Sequence, residues 1–537
     1  MVVRVASYSL RYTRGSCPPR GSTGFGIRSW RGPLWRRLAV ACACGFVLGG
    51  GEARAASGAG SPAVRPGLWA AAPSVAPLAI DGPWGSTLSL EVYERLRGEF
   101  VSWFEPLPGS PTPSYSYDFM GNKLQLGLRA RRGPLDIFLQ YEDVTLANVP
   151  ANAVGPGGLY YANTPTRTQH GAVLRNAWAS YRVSFAADVA LSVRGGRQLY
   201  GNGLEVAVRD PELRWLQSQR LAQRLIGAWD YTQAGRSFDG GRIALEHPAF
   251  NLTGFGFRPT WGGFEVDANP ELDIVVGGAA MSLPDSDHLP GTFAQMSWMF
   301  YQDGRDVLFI DNRPLAAREA SRGRPARLQT LGINAAHVER FSQGLLDAVA
   351  YGFGQAGDWQ GQGALGWAYG AEAGWRFTEL PARPWFRAGI NAASGDPDPL
   401  DDRHQTFFQM LPTGWIYAQM PFYNMMNNRD IFVQAILDPD PNVSLRFDGH
   451  WLGVGSVQDL AYFGSGATRN DLYGYGGVPT RGHRDLALMV DIQATVRVTT
   501  WFSIYAFYGH AFGQGVIGAN DAGTGNDYGF VETSFLF

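Results

Sequence analysis

The chain has 537 residues, of which 45% are hydrophobic and 13% aromatic, and its formal net charge is −2. Its body contains no apolar run long enough for a transmembrane helix and its mean hydropathy is slightly negative, so a helical membrane protein is excluded. The 69 glycines and the many aromatic residues argue against a disordered chain, and the charge balance gives no reason to expect nucleic acid as a partner.

The first part of the chain has the pattern of a secretory leader. Arg36 and Arg37 precede an apolar run over 38–48, and a small-x-small cleavage site ends at Ala55. All three cysteines lie before this site, so the mature chain is predicted to contain no disulfide. Without the leader, 36 basic residues face 46 acidic ones, which is a net charge of −10.

The remainder of the chain contains repeated segments in which apolar and polar residues alternate. Such alternation is typical of strands that have one apolar face and one polar face, and it predicts an all-β protein. Clear examples lie at 123–131, 135–142, 367–377, 485–498 and 528–537.

The last ten residues indicate which kind of β-protein this is. Val531, Phe535 and Phe537 share one face, and Glu532 and Ser534 share the other. An apolar stripe that ends on an aromatic residue is typical of outer-membrane β-barrels, whose strands face lipid on one side and a wet lumen on the other. For this segment alone, a half-buried strand of a soluble β-sandwich is the alternative.

The connections between the alternating segments are short and long in turn. Outer-membrane barrels have short periplasmic turns and long extracellular loops. The sequence therefore predicts a single antiparallel transmembrane β-barrel of about 18 strands in the bacterial outer membrane. Its predicted divisions are an N-terminal extension with signal peptide at 1–55, a periplasmic N-terminal segment at 56–87 and the barrel at 88–537. Short connections are expected near 131–134, 185–188, 247–249, 379–384, 438–442 and 499–500, and long ones near 143–170, 199–235, 302–327, 395–430, 455–484 and 511–527.

One long connection contains a predicted helix at 210–228. Asp210 followed by Pro211 is a helix-start signal, and leucines follow at roughly helical spacing. The helix either folds into the pore mouth or packs over the rim, because periodicity does not say which surface it meets.

The predicted inner faces are rich in charge. By alternation, Arg129, Arg242, Arg376 and Arg446 point into the lumen, opposed by acids such as Glu372. Many of these charges keep the lumen wet and brace neighbouring strands. Arginines in a constriction would also attract anions, since rings of basic residues are how anion pores select their cargo.

Several short motifs occur in order along the chain. They are GRQLYGNG at 196–203, RSFDGGR at 236–242, Ser394-Gly395-Asp396, Thr406-Phe407, LPTG at 411–414, Gly482-His483 with Asp485-Leu486, and YGHAF at 508–512. Together they resemble the bacterial alginate export family. The resemblance covers roughly residues 88–537 and implies an 18-stranded outer-membrane channel with an arginine-rich, anion-selective constriction.

The resemblance makes Arg197, Arg236, Asp239 and Arg242 the leading pore candidates. Simple alternation from Val189 would turn Arg197 toward lipid, where an arginine is costly. A β-bulge at Gly195-Gly196 would reverse the phase, and bulges often occur near functional sites, so we expect a bulge there.

A metal site is weakly indicated, and enzyme motifs are not. Asp396 and Asp398 are weak candidates for binding Ca²⁺ in an acidic loop, although the loop lacks the spacing of an EF-hand. The three Gly-x-Gly-x-x-Gly matches do not follow a strand and open a helix. We therefore expect neither catalysis nor a cofactor.

The predicted cargo is an anionic polysaccharide that is exported passively. The predicted partners are the polysaccharide or a small anionic solute and outer-membrane lipid, and the resemblance adds a periplasmic secretion complex. Two alternatives stay open: a porin for the uptake of small solutes, and a barrel enzyme with a Ser/His/acid cluster at one rim.

Overall fold

The computed structural model describes residues 77–416 and 419–537. The predicted leader at 1–55 and most of the predicted segment at 56–87 lie outside these residues. Among the described residues, no helix is long and apolar enough to cross a bilayer.

The described residues form 22 strands with alternating faces. Their bounds are β1 (Leu78–Asp81), β2 (Thr87–Ser102), β3 (Ser116–Arg132), β4 (Leu135–Ala147), β5 (Gln169–Ala186), β6 (Val189–Gln198), β7 (Phe238–His247), β8 (Phe250–Pro259), β9 (Ile274–Leu283), β10 (Thr292–Asp303), β11 (Ala326–Phe341), β12 (Gly344–Trp359), β13 (Gln362–Phe377), β14 (Trp385–Ala393), β15 (Arg403–His404), β16 (Asn428–Asp440), β17 (Val443–Val454), β18 (Leu460–Gly464), β19 (Tyr475–Pro479), β20 (Asp485–Arg497), β21 (Phe502–Gly513) and β22 (Gly525–Leu536).

Eighteen of these strands close into one antiparallel barrel, as the sequence predicts. β2 to β14 pair in order, followed by β16, β17 and β20 to β22, and β22 pairs with β2. Arg97 and Glu532 are direct partners across this closing pair, with 2.6 Å between Nη2 and Oε2. Closure leaves no open sheet edge, which is a requirement for backbone in lipid.

Four short strands lie outside the closed ring. β1 pairs with the start of β2, so the sheet begins before the predicted boundary at residue 88. β15 pairs in parallel with the start of β13, and β18 and β19 form a separate hairpin.

Alternation assigns the two faces of the wall. In β13, Leu365, Trp367 and Tyr369 are exposed on the outer face, whereas Ala368 and Glu372 are buried on the inner face. In β22, Val531 is exposed and Glu532 buried, as predicted. An apolar outer face with a polar inner face is what a membrane barrel requires.

The two ends of the barrel differ in the length of their connections. At the end that we name the turn end, strands are joined by 133–134, 187–188, 248–249, 284–291, 342–343, 378–384, 441–442 and 498–501. At the opposite end, named the loop end, the connections are 103–115, 148–168, 199–237, 260–273, 304–325, 360–361, 394–427, 455–484 and 514–524. The connection 360–361 is an exception, since it is a two-residue turn at the loop end.

The longest connection, residues 199–237, folds into the barrel, and we name it the lumen loop. The predicted helix forms within it as Pro211–Leu216, continued by the wider turn Gln217–Leu221. The carboxylate of Asp210 caps it by accepting a backbone N–H of the first turn at 2.9 Å. The helix is shorter than predicted because the chain becomes extended at Ala222.

The helix of the lumen loop packs on the inner face of β13 and β14. Arg220 donates to both carboxylate oxygens of Glu372 at 2.7 Å. Trp215 packs on Trp385, with ring centroids 4.8 Å apart. Both wall residues are buried and face inward, so the helix lies inside the lumen and not over the rim.

The lumen loop reaches the turn end although it starts and finishes at the loop end. Glu212 accepts hydrogen bonds from Arg340 at 2.8 Å and from Arg376 at 3.0 Å. These arginines lie in β11 and β13 close to their turn-end connections. The predicted position in the pore mouth is therefore too shallow.

The same loop is also bound to the opposite wall. The backbone carbonyl of Thr232 accepts hydrogen bonds from Arg95 at 2.6 Å and from Lys123 at 3.0 Å. Arg175 pairs with the carboxylate of Asp230. These partners belong to β2, β3 and β5, so the loop crosses the lumen from one wall to the other.

A second long connection, 394–427, packs beside the lumen loop. Ile226 and Leu411 form a parallel backbone bridge between the two. On the wall side, Gln355 of β12 donates to the Phe408 carbonyl at 2.9 Å. The interior of the barrel therefore has its own apolar core, built from loop residues and inner-face residues.

Replacement of Trp215 by Ala should release the lumen loop without opening the barrel. The substitution removes the contact with Trp385 but leaves the wall intact, so trypsin should cleave the loop after Arg214 or Arg220 more quickly than in the wild type. Heat-modifiability on gels should still report a folded barrel. Trp451→Ala, on the exposed outer face, is the matched control. Equal cleavage of Trp215→Ala and wild type would show that this contact does not hold the loop.

Candidate functional site

Four of the predicted pore arginines have acidic partners, and Arg129 and Arg446 are two of them. Arg129 forms a bidentate pair with Asp136, with Nε 2.7 Å from Oδ1. Arg446 lies 2.5 Å from Asp448. Because each guanidinium already has a carboxylate partner, these residues brace the wall as well as line it.

Arg376 is held by two acids from different parts of the chain. Its guanidinium lies 3.0 Å from Glu212 of the lumen loop and 2.7 Å from Asp438 of β16. It therefore joins the lumen loop to the wall at the turn end, and its charge is balanced there.

The predicted bulge at Gly195-Gly196 is absent, and this expectation is wrong. The register between β6 and β7 runs without a shift from Ala190 to Gln198. Arg197 pairs with Asp239 at 2.6 Å. In this register both share a face with Val193 and Ile243, which are 49% and 48% exposed.

Arg197 and Asp239 thus lie on the outer alternation face at the loop-end edge of the sheet. Two contacts lower the free-energy cost of placing an arginine on this outer face. Asp239 supplies a bidentate partner, and the Asn269 carbonyl accepts a further hydrogen bond from Arg197 at 3.0 Å. An outward Arg197 is therefore tolerated because its partner Asp239 lies on the same face.

Arg236 is a buried arginine without an acidic partner among the described residues. Arg236 donates a hydrogen bond to the Ser465 carbonyl at 3.4 Å and lies 4.9 Å from the centroid of the Trp229 ring. Burial lowers the pKa of Arg236 to about 10. The residue lies in the lumen loop just before β7, so it forms part of the packed interior.

Arg242 is in a different situation, because it faces another arginine. It is the direct cross-strand partner of Arg194 in β6, and both are partly exposed. Neither forms a hydrogen bond or ion pair within the described residues. Like charges directly opposite each other are destabilising. Arg194 instead lies over the ring of Trp178, 3.8 Å from its centroid.

Arg194 and Arg242 belong to a larger basic surface on the inner face of β3 to β7 near the turn end. We name it the turn-end arginine patch, and it consists of Arg129, Arg131, Arg182, Arg194 and Arg242. The acids paired with it are Asp136 and Glu246. Five arginines against two acids leave an excess of positive charge.

Three residues of this region were not predicted from the sequence: Arg194, Arg182 and Trp178. The alternation that places Val189, Leu191 and Val193 outside puts Arg194 inside, so a signal for Arg194 was present. No sequence pattern indicates that Trp178 stacks beneath it, because that contact joins β5 to β6.

The opposite wall carries a cluster of acids with one histidine. Asp448 and Asp491 are direct cross-strand partners, and Nδ1 of His450 lies 2.9 Å from Oδ1 of Asp430. Ligand atoms of Asp448, His450 and Asp491 lie within 4.8 Å of one another. We name these four residues the acid–histidine cluster.

The weak metal candidates Asp396 and Asp398 lie elsewhere and their oxygens cap turns. Asp396 accepts from the Asp398 N–H at 3.2 Å, and Asp398 accepts from the Leu400 N–H at 3.0 Å. Burial raises the pKa of Asp396 to about 7; the Asp398 N–H opposes this shift, and the nearby Asp459 carboxylate adds to it. Calcium binding at this loop stays a prediction.

The protein-family model for alginate export matches residues 117–513. No curated protein sequence matches the chain. Among solved structures, OccAB2 from Acinetobacter baumannii aligns with a TM-score of 0.53 at 9% identity, covering 84% of this chain and 98% of that one.

Two further solved structures are from Pseudomonas aeruginosa. OccK9 (OpdG) aligns with a TM-score of 0.51 at 9% identity, covering 83% of this chain and 98% of that one. OccK2 (OpdF) in complex with glucuronate aligns with a TM-score of 0.50 at 10% identity, covering 84% and 98%. At these identities the likeness shows the fold alone.

Substitutions should separate arginines that stabilise the wall from those that do not. Arg242→Gln removes repulsion from Arg194 and should leave the thermal midpoint of the barrel unchanged or raise it. The buried Arg387 guanidinium lies 2.9 Å from the Asp347 carboxylate and 3.1 Å from that of Glu372. Arg387→Gln leaves both carboxylates without this partner and should lower the free energy of unfolding by about 3–5 kcal/mol. Heat-modifiability against temperature measures both. Equal destabilisation by the two substitutions would mean that Arg242 is structural.

Proposed function

This chain belongs to the alginate export family, and we propose that it is a passive, anion-selective channel that exports an acidic polysaccharide such as alginate. Family membership and the closed barrel assign it to the bacterial outer membrane. We further infer that the turn end faces the periplasm, because outer-membrane barrels have short turns on that side.

The turn-end arginine patch carries the proposal. Arg194 and Arg242 face each other without a carboxylate partner, although Arg129 in the same patch is paired with Asp136. Such a pair lowers stability, so its retention is best explained by a negative group that arrives with the cargo. Carboxylates of a uronic acid polymer are suitable partners for guanidinium groups.

The patch also suits movement of a polymer past it. Its arginines are distributed over several strands and are partly exposed, which favours repeated weak contacts over one tight site. The buried Trp178 ring lies beneath Arg194 and holds its guanidinium by a cation–π contact. Conduction requires weak contacts with the cargo, since the cargo must leave as readily as it enters.

Export of a polymer requires the lumen loop to move. The loop crosses the lumen and is bound at both walls, by Glu372 on one side and by Arg95 and Lys123 on the other. We propose that these contacts hold a closed form and that displacement of the loop opens the channel.

A porin for small anionic solutes is the second candidate. The observation that favours it is the filled interior, because two packed loops leave less room for a polymer than for a monomer. Glucuronate, the ligand in the OccK2 complex, is a suitable small probe for this alternative. Neither candidate includes a catalytic step.

The double substitution Arg194→Gln with Arg242→Gln should reduce anion selectivity. In planar bilayers under a KCl gradient, the wild type should give a reversal potential with the sign expected for a channel that prefers chloride to potassium. The double variant should give a reversal potential closer to zero. Arg258→Gln, which removes an exposed arginine on the outer face, is the matched control and should behave as wild type. Cation selectivity of the wild type would contradict the proposal.

Blockade distinguishes the two candidates. For an exporter, oligomeric uronate should reduce the single-channel current at concentrations at which glucuronate has little effect. For a porin of small solutes, glucuronate should interrupt the current and the oligomer should have no greater effect. The second outcome would be compatible with an anion channel but would contradict the proposal that a polysaccharide is the cargo.

A further inference from the structure

A row of inward-facing polar residues crosses β16, β17 and β20. Gln434 is the direct partner of Asp448, and Asp448 is the direct partner of Asp491. All three are buried. Two carboxylates directly opposite each other repel, so a positive charge beside them would stabilise the row. The cross-strand partners in the row do not include one.

His450 lies next to this row on β17. Its Nδ1 is 2.9 Å from the carboxylate of Asp430, which orients the ring and leaves Nε2 available as a lone-pair donor. Metal-binding histidines commonly have such a carboxylate behind them. Ligand atoms of Asp448, His450 and Asp491 all lie within 4.8 Å of one another.

The charges around the cluster leave it negative. Arg446 lies 2.5 Å from one oxygen of Asp448, whereas the second oxygen accepts the Gln434 amide at 2.8 Å. Arg220, which lines the same cavity, is engaged by Glu372. Three carboxylates in the acid–histidine cluster thus face one closely bound guanidinium.

One orphaned atom gives independent support. The amide oxygen of Gln434 is buried and lacks a hydrogen-bond partner within the described residues. The amide nitrogen of the same side chain donates to Asp448, so the Gln434 side chain lies beside the carboxylate row. An unsatisfied buried oxygen costs free energy, and a cation at the row is a partner that would satisfy it.

We propose that Asp448, His450 and Asp491 bind one divalent transition-metal ion on the inner wall of the barrel. One imidazole and two carboxylates form a donor set that suits Zn²⁺ or Mn²⁺, whereas Ca²⁺ prefers oxygen ligands alone. The ligand atoms need to approach one another only modestly, since Zn–N and Zn–O bonds are about 2.0–2.2 Å long. The ion would connect β17 to β20.

The test uses the full chain in detergent after treatment with chelator. Titration calorimetry with Zn²⁺ should give one site per chain, and bound Mn²⁺ should be visible by loss of its free-ion EPR signal. His450→Ala and Asp491→Asn should each weaken binding at least about tenfold. Asp430→Asn, which keeps the side-chain size, should weaken it by about 10–100-fold through the lost orientation of His450.

Two further variants make the assignment specific. His510→Ala removes a histidine that also contacts an aspartate, Asp527 at 2.7 Å, but lies outside the cluster, and it should leave Zn²⁺ binding unchanged. Arg446→Gln removes the competing cation and should tighten binding, which a merely structural ion pair would not do. Absence of Zn²⁺ and Mn²⁺ binding in the wild type would overturn the proposal, as would equal binding in folded His450→Ala and Asp491→Asn.

Discussion

Closure of the sheet is the constraint on which the rest of the structure depends. In lipid, each backbone N–H and C=O must find a partner within the protein, so the first barrel strand must pair with the last. The pairing of β2 with β22 meets this need and brings Arg97 against Glu532. Once the ring is closed, alternation sends each side chain to lipid or lumen, and all the polar chemistry must share the interior. The lumen loop and the acid–histidine cluster are consequences of that confinement.

Inside the ring, charge is balanced unevenly around the wall. Glu372 is surrounded by Arg220 and Arg387, which form a buried network that would be costly to break. Arg194 and Arg242 have no such acid and repel each other. In the proposed channel, the paired arginines stabilise the wall and the unpaired Arg194 and Arg242 contact the cargo, which is a trade between stability and function.

The sequence was sufficient for the features that depend on local pattern. The alternating segments predicted the barrel of about 18 strands and the inward position of Glu532, and the short motifs predicted membership of the alginate export family; all three are confirmed. Features that depend on contacts between distant residues were out of reach. Arg376 contacts Glu212 of the lumen loop, which is 164 residues away along the chain. This contact holds the lumen loop at the turn end. Arg197 was misplaced for the same reason, since its partner Asp239 makes an outward position tolerable.

The side from which a polymer blocks the channel tests the central claim most directly. If the turn-end arginine patch receives the cargo, oligomeric uronate added on the turn-end side of an oriented bilayer should block the current at lower concentration than the same oligomer added on the loop-end side. The difference should disappear in the double variant Arg194→Gln with Arg242→Gln. Equal blockade from both sides, or stronger blockade from the loop end, would contradict the account.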